Sequence, residues 1–168
     1  MWFKKKVPLD EAIDGCLMLL RERAFLLRSL NDLEKMSPRK RVDLEWELIM
    51  LRFFFLRVAI MNSQSQWKII IDRLHFRFLT NLQQHHKMTN RKMAALEREF
   101  EKRIQAYTEA WNEVTGSVAG KMNKLGRIFC HFAEIGDEYF VMATTYVGVQ
   151  GTIHKAAKKV LRRLKIVL

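Results

Sequence analysis

From Leu9 onward, Ile13, Cys16, Leu17, Leu20, Leu27, Leu30 and Leu33 recur at helical spacing, while Arg21, Glu22, Arg28 and Asp32 fall largely off that stripe. This pattern predicts a helix over residues 9–36, with Pro8 in its first turn, where a missing N–H costs nothing. Ser37-Pro38 offers a cap followed by a proline, a start signal for a second helix. That segment turns apolar on every side over residues 48–61, interrupted only by Arg52 and Arg57. A helix without a polar face belongs at the centre of a bundle. Its two arginines need partners, and Asp43, Glu45 and Glu47 are the nearest acids.

The run Asn62-Ser63-Gln64-Ser65-Gln66 holds only side chains that compete for backbone hydrogen bonds, so a break is expected there. The helical pattern resumes over 67–87 and turns at Thr89-Asn90. The clearest periodicity follows: Met93, Leu96, Phe100, Ile104, Tyr107 and Trp111, continuing through Val118 and Leu125 to Phe132. Unbroken, that helix would be about 69 Å long, against a radius of gyration of about 15 Å for a globule of this size. Either the molecule is elongated or the helix breaks, and Gly116 and Gly120 mark the weak point. Gly136-Asp137 suggests a stop and a new cap, residues 139–149 are taken as helical, and Gly151-Thr152 suggests the cap of a terminal helix. The expected architecture is an all-α, elongated bundle of five to six helices. It is built around a long, kinked antiparallel helical hairpin over residues 38–132, within a single helical domain spanning 1–168.

Composition narrows the classes. With 168 residues, 49% of them hydrophobic, and only two prolines and seven glycines, the chain can bury a core and is neither disordered nor collagen-like. Cys16 and Cys130 cannot make a disulfide framework. No stretch has the length and apolarity of a membrane span or a signal peptide, so a cytoplasmic protein, peripheral to the inner face of the membrane, is expected.

Charge changes the picture most. The net charge is +12, and the ends carry most of it. Lys4, Lys5 and Lys6 supply three cations. Lys155, Lys158, Lys159, Arg162, Arg163 and Lys165 supply six within the acid-free segment 152–168, leaving +3 for the body. Two local electrostatic handles on a nearly balanced bundle are the natural reading. Apolar residues accompany both: Trp2 and Phe3 at the start, and Val160, Leu161 and Leu164 on one side of the terminal segment. Such a basic amphipathic helix suits an anionic membrane or a partner's groove.

Catalytic signatures are absent by spacing. Gly116-Ser-Val-Ala-Gly120-Lys121-Met122 has three residues between its glycines and no hydroxyl after the lysine, so it is not a P-loop. No Glu-x-x-His exists; Asp72-x-x-His75 and His131-x-x-Glu134-x-x-x-Glu138 place comparable groups on single helix faces, and surface or cap hydrogen bonding accounts for them. His85-His86-Lys87 suits a helix C-terminus. The expectation is therefore a non-enzymatic interaction protein, an adaptor or structural subunit and an oligomer or coiled-coil partner, with no catalytic residue, metal, cofactor or small-molecule substrate. It would bind protein through an apolar bundle face and an anionic membrane surface through its termini. The alternative is a nucleic-acid binder using those clusters and Arg39-Lys40-Arg41 on phosphates.

Overall fold

The computed structural model describes residues 4–21 and 23–167, with 23–28 as backbone. Among these, seven α-helices and a single two-stranded sheet are present: β1 (Lys5–Pro8), α1 (Leu9–Leu20), α2 (Arg23–Met36), α3 (Arg41–Met61), α4 (Trp67–His86), α5 (Asn90–Glu113), α6 (Val118–Ala133), a 3-10 turn at Asp137–Tyr139, α7 (Phe140–Leu161) and β2 (Leu164–Val167). The all-α class is as the periodicity predicts.

α3 is the axis. All six other helices pack against it, and α7 runs along most of its length. Leu44, Leu48, Leu51, Phe53, Phe54, Phe55, Leu56, Ala59 and Ile60 are fully or almost fully buried, as a helix with no polar face requires. Aromatic rings stitch the bundle together: Phe53 meets Phe78 and Phe100, and Phe54 meets Tyr107 and Trp111.

The long kinked hairpin is replaced by two shorter hairpins. The stacking of Trp46 on Phe78 and the contact of Phe53 with His75 place α4 antiparallel to α3, so the 62–66 break reverses the chain rather than bending it. The Lys124–Glu113 ion pair and the Tyr107–Phe132 ring contact likewise fold α6 back along α5. The second reversal needs Gly116, whose φ of 94° is unfavourable for any side chain, and Ser117 caps α6 by accepting from the Gly120 N–H. The buried face of each half is too apolar to leave extended, and both halves find α3.

Three other boundaries differ from the sequence pattern. The first helix divides, because Arg21 leaves helical geometry after α1. Ser37 does not cap α3; its hydroxyl accepts from the Arg39 N–H and donates to the Ala133 carbonyl, tying α2 to the end of α6. α7 passes straight through Gly151, which is buried with the Phe55 ring 3.4 Å from where its Cβ would stand. That glycine permits close approach to α3 and does not stop the helix.

The α6–α7 contact is closer still. A Cβ on Gly126 would lie 2.4 Å from Thr144 Oγ1 and 3.2 Å from its Cβ. Gly126→Val is expected to lower stability by about 1–3 kcal/mol through overpacking, read as a shifted denaturant midpoint. Adding Thr144→Ala should recover part of the loss, since the Thr144 hydroxyl is buried without a hydrogen-bond partner.

Two polar networks sit in the core. The guanidinium of Arg52 donates to Gln150 Oε1 at 2.6 Å and to the Leu20 carbonyl, and Gln150 donates to Ser29. Among the hydrogen bonds of the described residues, none runs from Arg52 to Asp43, Glu45 or Glu47. Glu47, fully buried, instead bridges Arg39 and Arg103. Beyond the core, among the described residues none from Leu79 to Glu99 is buried, so the α4–α5 turn projects as an arm. No described helix is long and apolar enough to cross a membrane.

Candidate anionic-surface interface

The two basic ends of the chain meet. β1 and β2 pair in parallel, with Lys5 opposite Leu164, Lys6 opposite Lys165 and Val7 opposite Ile166. The Lys5 N–H donates to the Arg163 carbonyl at 3.0 Å, and the Gln64 side-chain amide, from the 62–66 turn, donates to the carbonyls of Leu161 and Leu164. Val7 and Ile166, 4% and 6% exposed, anchor the pair in the core.

Lys6 and Lys165 alternate with the buried Val7 and Ile166 and so point outward. Lys4, Lys5, Lys6, Arg162, Arg163 and Lys165 are all exposed, six cations gathered from opposite ends of the chain. Lys6 and Lys165 stand directly across from each other on strands about 4.8 Å apart, a like-charge pairing that disfavours the fold unless an anion offsets it. The last turns of α7 add exposed Lys155 and Lys159 and half-buried Lys158 on the side away from Ile153, Ala157 and Leu161.

The apolar contacts fare differently. Trp2 and Phe3 lie outside the described residues, as does Leu168. Val160 is 56% exposed beside the basic face and stays available. Leu164 is half-buried. Leu161 is 3% exposed and belongs to the core, one turn beyond Ala157 on the docking face, so it is not a surface contact in this fold. The terminal segment 152–168 is not a free helix: its apolar side docks on the bundle and its end is a strand.

Other neighbours carried no signal of their own in the sequence. Pro8, Leu9, Ile69, Arg73 and Val167 line an open groove of about 490 Å3 at the far end of the sheet. Ile69 and Val167 are 48% and 46% exposed, apolar groups close to the cations. Ile69 stands in an Ile-Ile-Ile run whose other two members are buried, and that surplus is the one hint the sequence contains. Asp10 and Asp14 at the start of α1 pair with Arg73 and Arg77, at 2.7 Å for Arg77–Asp14. The acids nearest the patch are thereby largely neutralised, with exposed Glu11 the exception.

Arg39-Lys40-Arg41 is dispersed. Arg39 turns inward to Glu47 and to the Phe132 carbonyl, and Arg41 donates to Glu34 and Asn31. Only Lys40 of the three stays exposed.

The remaining polar candidates do not assemble. No group of three His, Cys, Asp or Glu side chains comes together to hold a metal ion among the described residues. Burial pushes the Cys16 thiol up to about 12, and burial with the nearby Asp137 charge raises that of Cys130, so both stay protonated. His75 stacks on Phe100, and His154 meets the edge of Trp111. Both imidazoles titrate below the ordinary histidine range. For His75 the cause is burial, opposed by Glu97, Glu101 and Asp72 and aided by Arg57; for His154 it is burial, with Lys158 and Lys155 adding to it. In the window just below about pH 6.5 the unfolded chain therefore binds more protons than the native one, and stability falls as pH falls. The melting temperature is expected to drop between about pH 7.5 and 5.5, and a His75→Phe/His154→Phe variant should flatten that slope.

The fold and this surface define an all-α bundle whose termini are joined into one cationic face. No protein-family model matches the chain, and neither a curated protein nor a solved structure matches it.

Proposed function

We propose that the protein is a non-enzymatic helical interaction protein, an adaptor or structural subunit, whose joined basic termini sit on the anionic cytoplasmic face of a membrane. The bundle is then left to present protein-binding surface. The observation that carries this reading is the parallel β1–β2 pair, which turns two basic segments into one cationic face. Each cation near an anionic leaflet contributes about 1 kcal/mol at most, so binding requires several to face the surface together. Exposed Val160, Val167 and Ile69 add apolar contacts at its margin.

Co-sedimentation with neutral and anionic vesicles, at low and high salt, tests it. Pelleting with anionic vesicles alone, lost at high salt, is the expected result. Absence of pelleting at low salt would remove the membrane. A duplex DNA arm covers the alternative: tighter binding to DNA than to vesicles, with a steep salt slope, would favour phosphate contacts on nucleic acid. The dispersal of Arg39 and Arg41 onto Glu47 and Glu34 speaks against that outcome.

A further inference from the structure

The arm formed by the end of α4 and the start of α5 extends past the core. Among the described residues none from Leu79 to Glu99 is buried, and residues 79–86 of α4 alone carry the arm about 12 Å outward. Leu82, Met88, Met93 and Leu96 are only half-buried along it.

Charge on the arm is one-sided. The segment 73–96 contains no Asp or Glu. Its inner cations, Arg73 and Arg77, pair with Asp10 and Asp14. At the tip, Lys87, Arg91 and Lys92 are exposed and make no ion pair among the described residues. Local structure argues against that placement. Arg91 and Lys92 occupy the first turn of α5, which holds no acid, and the positive end of a helix dipole disfavours cations. Lys87 closes α4 at φ 47°, a geometry that glycine takes at lower cost. Cations kept against helix physics, on an arm the core does not use, imply a counter-charge from outside the chain.

The tip is also concave. A groove of about 450 Å3 is lined by Met88, Ala95 and Leu96 together with Lys87 and Lys92. Glu99 lines it too, but Arg103 already holds that carboxylate, so the unpaired charges are positive.

We infer that this arm is the protein-binding surface and that its partner is an acidic amphipathic segment. The partner sets an apolar side chain in the groove and carboxylates on Lys87, Arg91 and Lys92. Met88 suits such a contact, because its side chain adapts to irregular shapes. Duplex DNA has phosphates for the cations but no apolar side chain for the groove. A membrane calls for a large apolar residue exposed at the tip, and among the described residues none lies between Phe76 and Val118. The inference rests on the adaptor reading, and it assigns the protein contact to a place apart from the joined termini. Ile69 borders the groove beside Val167, and His86 lies about 25 Å further along the same helix.

The probe is a fluorescein-labelled helical peptide with leucines at every third and fourth position and glutamates between them, followed by anisotropy with the intact protein. Saturable binding is expected, weaker at high salt, and at least tenfold weaker for a peptide with glutamine in place of glutamate. Lys87→Gln/Arg91→Gln/Lys92→Gln should weaken binding by about tenfold. Ala95→Glu, which adds a carboxylate at an exposed position of the groove, should weaken it as well. Circular dichroism checks that both variants are folded, and both should pellet with anionic vesicles as the wild type does. Absence of peptide binding while vesicle pelleting persists would overturn the arm assignment and leave the reading of the termini standing. Unchanged affinity in both variants would overturn it too. Loss of vesicle pelleting in the triple variant, or duplex DNA binding tighter than the peptide and lost in that variant, would replace the acidic protein partner with a membrane or a nucleic acid.

Discussion

Replacing Glu47 with alanine is expected to lower stability by about 3–5 kcal/mol, the loss that follows from stranding a buried charge. Glu47 is fully buried on α3 and accepts from Arg103 at 2.7–2.8 Å and from Arg39 at 3.0 Å. Burial works against the Arg103 cation, but the Glu47 hydrogen bonds and charge outweigh it, with Glu99 assisting, and its pKa is raised. Removing the carboxylate leaves that guanidinium over the Phe132 ring, at 4.8 Å, with only the peripheral Glu99 as counter-charge. Arg39, more exposed, can turn to solvent; Arg103 is held by its surroundings. The pair as a whole adds little beyond a well-packed apolar replacement, so Glu47→Leu with Arg103→Met should recover most of the loss. Urea denaturation with an unchanged m-value provides the measurement. A loss below about 1 kcal/mol for Glu47→Ala would mean that water reaches the site and that the network does not hold α3 to α5.

The second large effect is on binding. Changing Lys5, Lys6, Arg162, Arg163 and Lys165 together to glutamine is expected to weaken association with anionic vesicles by about 3–5 kcal/mol, two to three orders of magnitude or more. The same variant should melt at the wild-type temperature or above it. Its backbone pairing is unchanged, the core anchors Val7 and Ile166 are untouched, and the Lys6–Lys165 repulsion is gone. Binding and stability moving in opposite directions would mark these cations as functional. Parallel losses of both would mean that they serve the fold.

The parts legible in the sequence are those governed by local pattern. The central position of α3 follows from its missing polar face. The breaks at 62–66 and around Gly116 follow from residues that compete with or loosen the helix, and Thr89 caps α5 by accepting from the Lys92 N–H, as a hydroxyl before a helical run should. The parts not legible are those decided across long sequence separations. β1 and β2 are four residues each and lie at opposite ends of the chain, so neither is long enough to show a period of two, and each signals its partner only by a shared Val or Ile. Residues 164–167 therefore look like one more turn of a basic helix. Sequence proximity makes Glu47 a partner for the arginines on its own helix, yet its partners lie on a loop and on α5. Gly151 carries the same lesson, since stop signals and close-approach glycines differ only in what lies opposite. At the surface, the sequence contains both basic clusters but not their meeting, and the pattern alone leaves Leu161 on an open apolar side because the helical side that docks is set by the rest of the bundle.

The central claim is that both ends of the chain form one surface. Hydrogen exchange of the whole protein, free and on anionic vesicles, tests it directly by reading peptides over residues 4–8 and 155–167 in the same sample. Protection of both segments at the same vesicle concentration, with the α4–α5 arm unchanged, is the predicted result. Protection of one end alone, or of the arm instead, would contradict the account.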